Sequence, residues 1–271
     1  MIEENFNKKD GIQFKSTRHS LSPTIEYTPS KPRLGRRESV PHSEGIHYLY
    51  DVLKTNFPNS TPLPDLHHYF KLGDELIDLI FDVSFFYNWK FSYALSSYKS
   101  FDFNNRVPDM AINILSKSTW RRDIGEHVDY CEALKIPVYV VYSPYDVATN
   151  LYKPPFLRVY VLKDDIYVHK DCREFTLIEG ENKLDLEKII DLGENLPFRM
   201  GLMLRKKKLY GNFELYHLIL IDREEDKILP TKFEMEREKA EKERERAEKE
   251  RERADNLNKL LQKYKEKFGL I

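Results

Sequence analysis

The sequence predicts an α/β protein: a mixed β-sheet flanked by helices, continued by a long charged C-terminal helix. Three features carry that expectation. VYVVY at 138–142 is a continuous apolar run of strand length, the type found in a sheet covered on both faces. Segments with apolar residues three and four apart lie before and between the strand-like runs, which is helical spacing. Finally, EKERERA stands at 241–247 and again at 248–254, a seven-residue repeat of charged residues and alanine.

The chain has 271 residues, enough for one large domain or two small ones at roughly 150 residues each. Its 41% hydrophobic and 33% charged residues give a globular composition enriched in charge. Two cysteines, Cys131 and Cys172, exclude a disulfide scaffold and a four-thiolate zinc site. No apolar run approaches the ~20 residues of a membrane span, and MIEENFNKKDG lacks the apolar core of a signal peptide. The expectation is a reduced, cytoplasmic protein with no membrane partner. A formal net charge of -1 supplies no bulk attraction for nucleic acid, so DNA binding would need local patches.

Each segment has its own signal. Residues 1–40 carry Lys8, Lys9, Lys15, Arg18, Lys31, Arg33, Arg36 and Arg37 among serines, threonines and prolines, without apolar periodicity. That is a basic, flexible arm, either solvated or in contact with phosphates. Residues 41–230 form the body. Ile46, Leu49, Tyr50 and Leu53 predict an amphipathic helix over 42–57, ended by Pro58, Pro62 and Pro64. Residues 76–87 read as one strand or a strand pair, and 107–115 (VPDMAINIL) as a buried strand. A helix follows over 120–135, with Thr119 as candidate N-cap and Asp123 in its first turn. After VYVVY, 157–162 and 166–169 suggest a hairpin across Asp164-Asp165, and 213–221 a later strand.

The tail, 231–271, reads as a coiled-coil-like helix. Ala240, Ala247, Ala254, Leu261 and Phe268 fall seven apart, with Leu257, Tyr264 and Ile271 as a second seam. In the first half that second position is Glu236, Glu243 and Glu250, so the stripe there is alanine alone. Pairs such as Glu241/Arg244 and Glu250/Arg253, three apart, contribute ~0.2–0.5 kcal/mol each to a solvated helix. The second half has the apolar surface for self-association; a lone solvated helix is the alternative.

There is no phosphate loop, dinucleotide fingerprint, HExxH or nucleophile elbow, so no organic cofactor is expected. The signature stretch is VPDMAINILSKSTWRRDIGEHVDYCEALKIPVYVVYSP, 107–144. Its Pro108-Asp109, Ile114-Leu115-Ser116, Ser118-Thr119, Arg122-Asp123, Tyr130 and Ser143-Pro144, with Phe81-Asp82-Val83 upstream, resemble the Uma-two family of restriction-endonuclease-like proteins. The resemblance spans about residues 40–225. It implies the PD-(D/E)XK nuclease fold, a restriction-endonuclease-like core sheet of four or five strands flanked by helices. The implied function is a metal-dependent DNA endonuclease using magnesium or manganese. Such chemistry needs carboxylates to hold a hard cation and a lysine to support the attacking water. Carried over, Asp82 takes the aspartate position, Asn113 the glutamate position and His127 the lysine position.

Two of those three depart from the pattern. Asn113 keeps an oxygen but loses a full negative charge, and His127 with its ordinary value near ~6.5 is mostly neutral at pH 7. Strand alternation puts Asp109 and Asn113 on one face, and helical spacing puts Asp123 and His127 on one face. Asp82, Asn113, Asp109, Asp123 and Glu44 on the first helix are therefore the candidate cation ligands of a rebuilt site. Each has a structural counterpart: Asp109 as a turn residue, Asn113 as a satisfied buried amide, His127 as a packed histidine, Asp123 as a helix-dipole partner. The second functional reading is a catalytically lapsed nuclease fold acting as an oligomerising nucleic-acid- or protein-binding module.

Overall fold

A computed structural model describes residues 39–269, apart from 93, 148, 149, 182, 210 and 211. Nearly all of the basic arm lies outside the described residues, as does Ile271. The chain begins with helix α1 (Val40–Asn56), whose Pro41 occupies the first turn and whose Ile46, Leu49, Val52 and Leu53 are buried. Strands β1 (Thr61–Leu72) and β2 (Glu75–Phe86) form an antiparallel hairpin turned at Gly73, where φ is +61°.

β1 was hidden by its prolines. Pro62 and Pro64, which read as helix breakers, sit inside the strand. They are tolerated because the far side of β1 is covered only at His68 and Tyr69, by the parallel β3 (Tyr98–Lys99). β2 is accordingly a single strand, and its partner comes from upstream.

Next come β4 (Met110–Ile114), α2 (Trp120–Asp123), α3 (Glu126–Ala133) and β5 (Val138–Ser143). The helix expected over 120–135 is thus two helices. Gly125 breaks it with φ -122° and ψ -98°, and Thr119 supplies no side-chain cap. β4 and β5 run parallel with Asn113 opposite Val141, so β4–α2–α3–β5 is a crossover unit. β6 (Phe156–Lys163) and β7 (Ile166–Cys172) form the expected hairpin, with Asp164 and Asp165 both at positive φ as its turn requires. The seven strands lie in the order β3-β1-β2-β4-β5-β6-β7.

A second sheet was not anticipated as a sheet. β8 (Leu177–Ile178), β9 (Phe198–Leu204) and β10 (Tyr216–Asp222) lie in the order β10-β9-β8. β9 carries Gly201 at its centre, which weakened its strand signal. The glycine is required: a Cβ there would stand 2.3 Å from Thr176 Oγ1. α4 (Lys232–Phe268) closes the described chain. Its capping box pairs Thr231 with Glu234, and its start is tied to α1 through Lys232 N–H donating to Asp51 Oδ2 at 2.9 Å.

Two cores lie on opposite faces of the large sheet. On one, α1 and the small sheet bury Val83, Phe85, Ile112, Ile114, Val140 and Tyr142. On the other, Phe81, Ala111, Cys131, Tyr139 and Tyr160 pack together beneath α2 and α3. Cys131 and Cys172 are buried free thiols.

α1 approaches the sheet closely at Gly45. An added Cβ would lie 2.6 Å from Tyr142 Oη and 2.8 Å from Ile114 Cδ1. Ile114 can rotate away, but the tyrosine is held in the sheet. Gly45→Ala is expected to cost about 1–3 kcal/mol in urea unfolding, the usual penalty of overpacking. An unchanged midpoint would mean that α1 is not seated as described.

Candidate functional site

The site lies where β2 and β4 diverge. Their backbone ladder runs from Phe85/Met110 to Val83/Ile112. At the next position side chains take over. Asn113 Oδ1 accepts from the Asp82 backbone N–H at 3.3 Å, and Asp82 Oδ2 accepts from the Ile114 N–H at 2.6 Å. Opposite Asp82, Asp65 interrupts the β1–β2 ladder with φ at +43°. Three strands therefore loosen at one point, and Asp82 and Asn113 satisfy the backbone groups that are released.

From Asn113 the network passes to the helices. Its Nδ2 donates to Asp123 Oδ1 at 3.1 Å and to His127 Nδ1 at 2.9 Å. The Asp82 N–H needs an acceptor, so the amide oxygen faces the strand and the amide nitrogen faces the helices. With both Nδ2 hydrogens and Oδ1 engaged, Asn113 is a satisfied buried amide. Because His127 Nδ1 accepts, its proton sits on Nε2. Asp123 and His127 remain on one face, 3.7 Å apart, despite the break at Gly125. Tyr139 Oη donates to the Asp123 carbonyl at 2.8 Å and pins α2 to the sheet.

Burial sets the charges. Asp123 is pushed up to about 6, mainly by loss of solvent and further by the Asp82 charge. His127 is pushed down to about 3, mainly by burial and further by Arg122, so it is a neutral imidazole at pH 7. On the other side of the strand, His42 from the first turn of α1 stands 3.1 Å from Asp82 Oδ2. Sequence reasoning missed His42; Pro41, which fixes the start of the helix, was its one local signal.

The candidate residues divide clearly. Asp82, Asn113, Asp123 and His127 are brought together. Asp109 is not: its Oδ2 accepts from the Tyr87 N–H at 2.8 Å and pairs with Arg106 at 3.3 Å, a turn role at the opposite end of β4. Glu44 stands 3.9 Å from Lys207, and His42, not Glu44, is the α1 residue that reaches Asp82.

The donor set does not fit a magnesium ion. A hard octahedral cation needs several oxygen ligands, most of them anionic or water. Here the Asn113 oxygen is neutral and already accepts from Asp82 N–H, and Asp123 Oδ1 takes the Asn113 amide hydrogen. Among the described residues no three His, Cys, Asp or Glu side chains are grouped to hold one ion.

Protonation makes a testable consequence. Below their ordinary value of 6.5, unfolded histidines take up protons that folded His68 and His217 refuse until about 4 and His127 until about 3. The unfolded chain then binds more protons, so these sites lose stability as pH falls through that window. Asp123 acts oppositely: raised from 3.8 to about 6, it favours the folded chain as pH drops between those values and offsets one histidine. The thermal midpoint is expected to fall from pH 6.5 to 4.5, and to fall more steeply in Asp123→Asn. A midpoint that rises on acidification would contradict neutral buried histidines.

Fold and site together define a mixed α/β protein with a buried carboxylate–amide–imidazole network at a strand divergence. A protein from Anabaena variabilis ATCC 29413, described as a "putative nuclease belonging to DUF820", is similar in structure at 14% identity and a TM-score of 0.38. The likeness covers 51% of this chain and 70% of that one. No family model and no curated protein matches the chain.

Proposed function

We propose that this chain is a nuclease-like domain of the restriction-endonuclease type whose cation site has lapsed, and that it works as a self-associating binding module without cleaving DNA. The single observation that supports this is Asn113. At the position where the resemblance calls for an anionic metal ligand, a neutral amide spends its oxygen and both its hydrogens on protein partners. His127, at the position of the lysine, is held neutral by burial and brings no fixed positive charge to a developing negative one.

Of the three carried-over positions only Asp82 keeps its carboxylate, and that carboxylate accepts from the Ile114 N–H. What this chain's residues do at the divergence is therefore to hold α1, two strands and α2/α3 in one arrangement. The test is cation binding to the full chain. Manganese at a hundred times an ordinary catalytic-site Kd would add about 2.7 kcal/mol to a folded protein that bound it. The expected result is no Asp82-dependent shift of the thermal midpoint with magnesium or manganese. A shift abolished by Asp82→Ala would overturn the proposal.

A further inference from the structure

Leu257, Leu260, Leu261, Tyr264 and Phe268 place five large apolar side chains on α4 within twelve residues, each between 51% and 67% exposed. A monomer rarely leaves so dense a stripe uncovered. We infer that residues 257–268 of α4 pair antiparallel with the same segment of a second copy of this chain. The inference deepens the self-associating part of the reading above and is independent of the closed network at Asn113.

The choice of a second copy follows from the stripe and its flanks. In the heptad that places Ala254, Leu261 and Phe268 at one core position and Leu257 and Tyr264 at the other, Leu260 lies beside the seam. Covering these five side chains on two helices removes on the order of 1,000 Å² from water, the lower limit for a specific interface. A weak dimer is therefore expected.

Orientation follows from charge. A parallel, in-register pair would also bring the first halves of α4 together. There Lys239 would face Arg244 of the other chain, and Arg246 would face Arg251, like charges at successive flanking positions. Glu236, Glu243 and Glu250 would each meet their own copies in the seam. Apart from Phe233 in the first turn of α4, nothing apolar in that seam larger than Ala240 and Ala247 would offset this.

Antiparallel pairing avoids all of it. Leu257 then layers against Phe268 of the second copy and Leu261 against Tyr264, so each ring meets a leucine. Lys267 lies along Leu260, where its methylenes pack and its ammonium stays in water, and Lys265 faces Asn258. The charged first halves run outward in opposite directions as solvated helices, and each body stands at a far end. Those halves are uninterrupted helix from the tie to α1 at Lys232 and Asp51 onward, and so act as spacers.

The full chain tests this directly. Sedimentation from about 1 to 100 µM should show one-chain mass giving way to two-chain mass. Leu261→Glu, a change on an exposed helix face, should hold the one-chain mass throughout with an unchanged circular dichroism spectrum. A spin label at Glu245→Cys, on the side away from the seam, distinguishes the orientations. The expected separation is ~50 Å, from the 1.5 Å rise per residue; a parallel pair would bring the labels within about 25 Å. A short distance overturns the inference. So does a full chain that stays monomeric at every concentration, including one that instead sediments with vesicles of anionic lipid through Lys259, Lys263, Lys265 and Lys267. None of these outcomes bears on cation binding at Asp82, so the lapsed cation site and the pairing of α4 can fail separately.

Discussion

Asn113→Ala is expected to lower stability by roughly 3–5 kcal/mol, and the thermal midpoint by about 10 °C. The side chain is nearly inaccessible, and its loss leaves the Asp82 N–H, the Asp123 carboxylate and the imidazole of His127 without their shared partner. Each orphaned buried group costs about 1–3 kcal/mol, and the cavity adds to it. Ligands of a working metal site behave differently, because carboxylates crowded for function are relieved by truncation. Chemical denaturation of the two proteins side by side checks this. A loss below about 1 kcal/mol would mean that Asn113 does not hold the divergence together.

Asn113→Glu combined with His127→Lys should show strong coupling, since the two side chains are in direct contact. Alone, the glutamate sets a second buried carboxylate beside Asp123 and removes the amide donors, a cost of about 3 kcal/mol or more. Alone, the lysine places an ammonium in a site that already holds His127 neutral, at similar cost. Together the new charges pair, and the double variant should be more stable than the sum of the singles by about 1–3 kcal/mol. It should also be the variant in which magnesium-dependent plasmid nicking appears, since an anionic oxygen and a fixed positive charge are then both present. A double variant with no coupling and no nicking would show that positions 113 and 127 do not form one site.

Those expectations began as sequence patterns, and how far the patterns reached has physical reasons. Buried strands such as VYVVY and the hairpin at Asp164-Asp165 announced themselves because local chemistry and tertiary role coincide there. β1 did not: Pro62 and Pro64 carry a breaker signal that only a free strand edge cancels, and edges are not visible in sequence. β9 was masked by Gly201, whose reason is a threonine twenty-five residues away in sequence. The break at Gly125 likewise turns on local backbone angles and not on apolar spacing.

At the site the same division holds. Asp82, Asn113 and His127 were picked out by the family resemblance, and helix spacing set Asp123 beside His127. Asp109 shares the strand parity of Asn113, but parity does not say which end of a strand a carboxylate serves, and Tyr87 N–H claims it. His42 was illegible, since its proximity to Asp82 depends on how α1 crosses the sheet at Gly45. Whether a polar cluster is a binding site or a closed network is decided by hydrogen-bond satisfaction. That is a property of geometry alone.

The most direct measurement is plasmid nicking by the native full chain with magnesium and with manganese, run beside Asp82→Ala. Intact plasmid is expected in both, because Asn113 and His127 leave neither an anionic ligand set nor a fixed positive charge at the divergence. Metal-dependent nicking by the native chain, lost in Asp82→Ala, would contradict it.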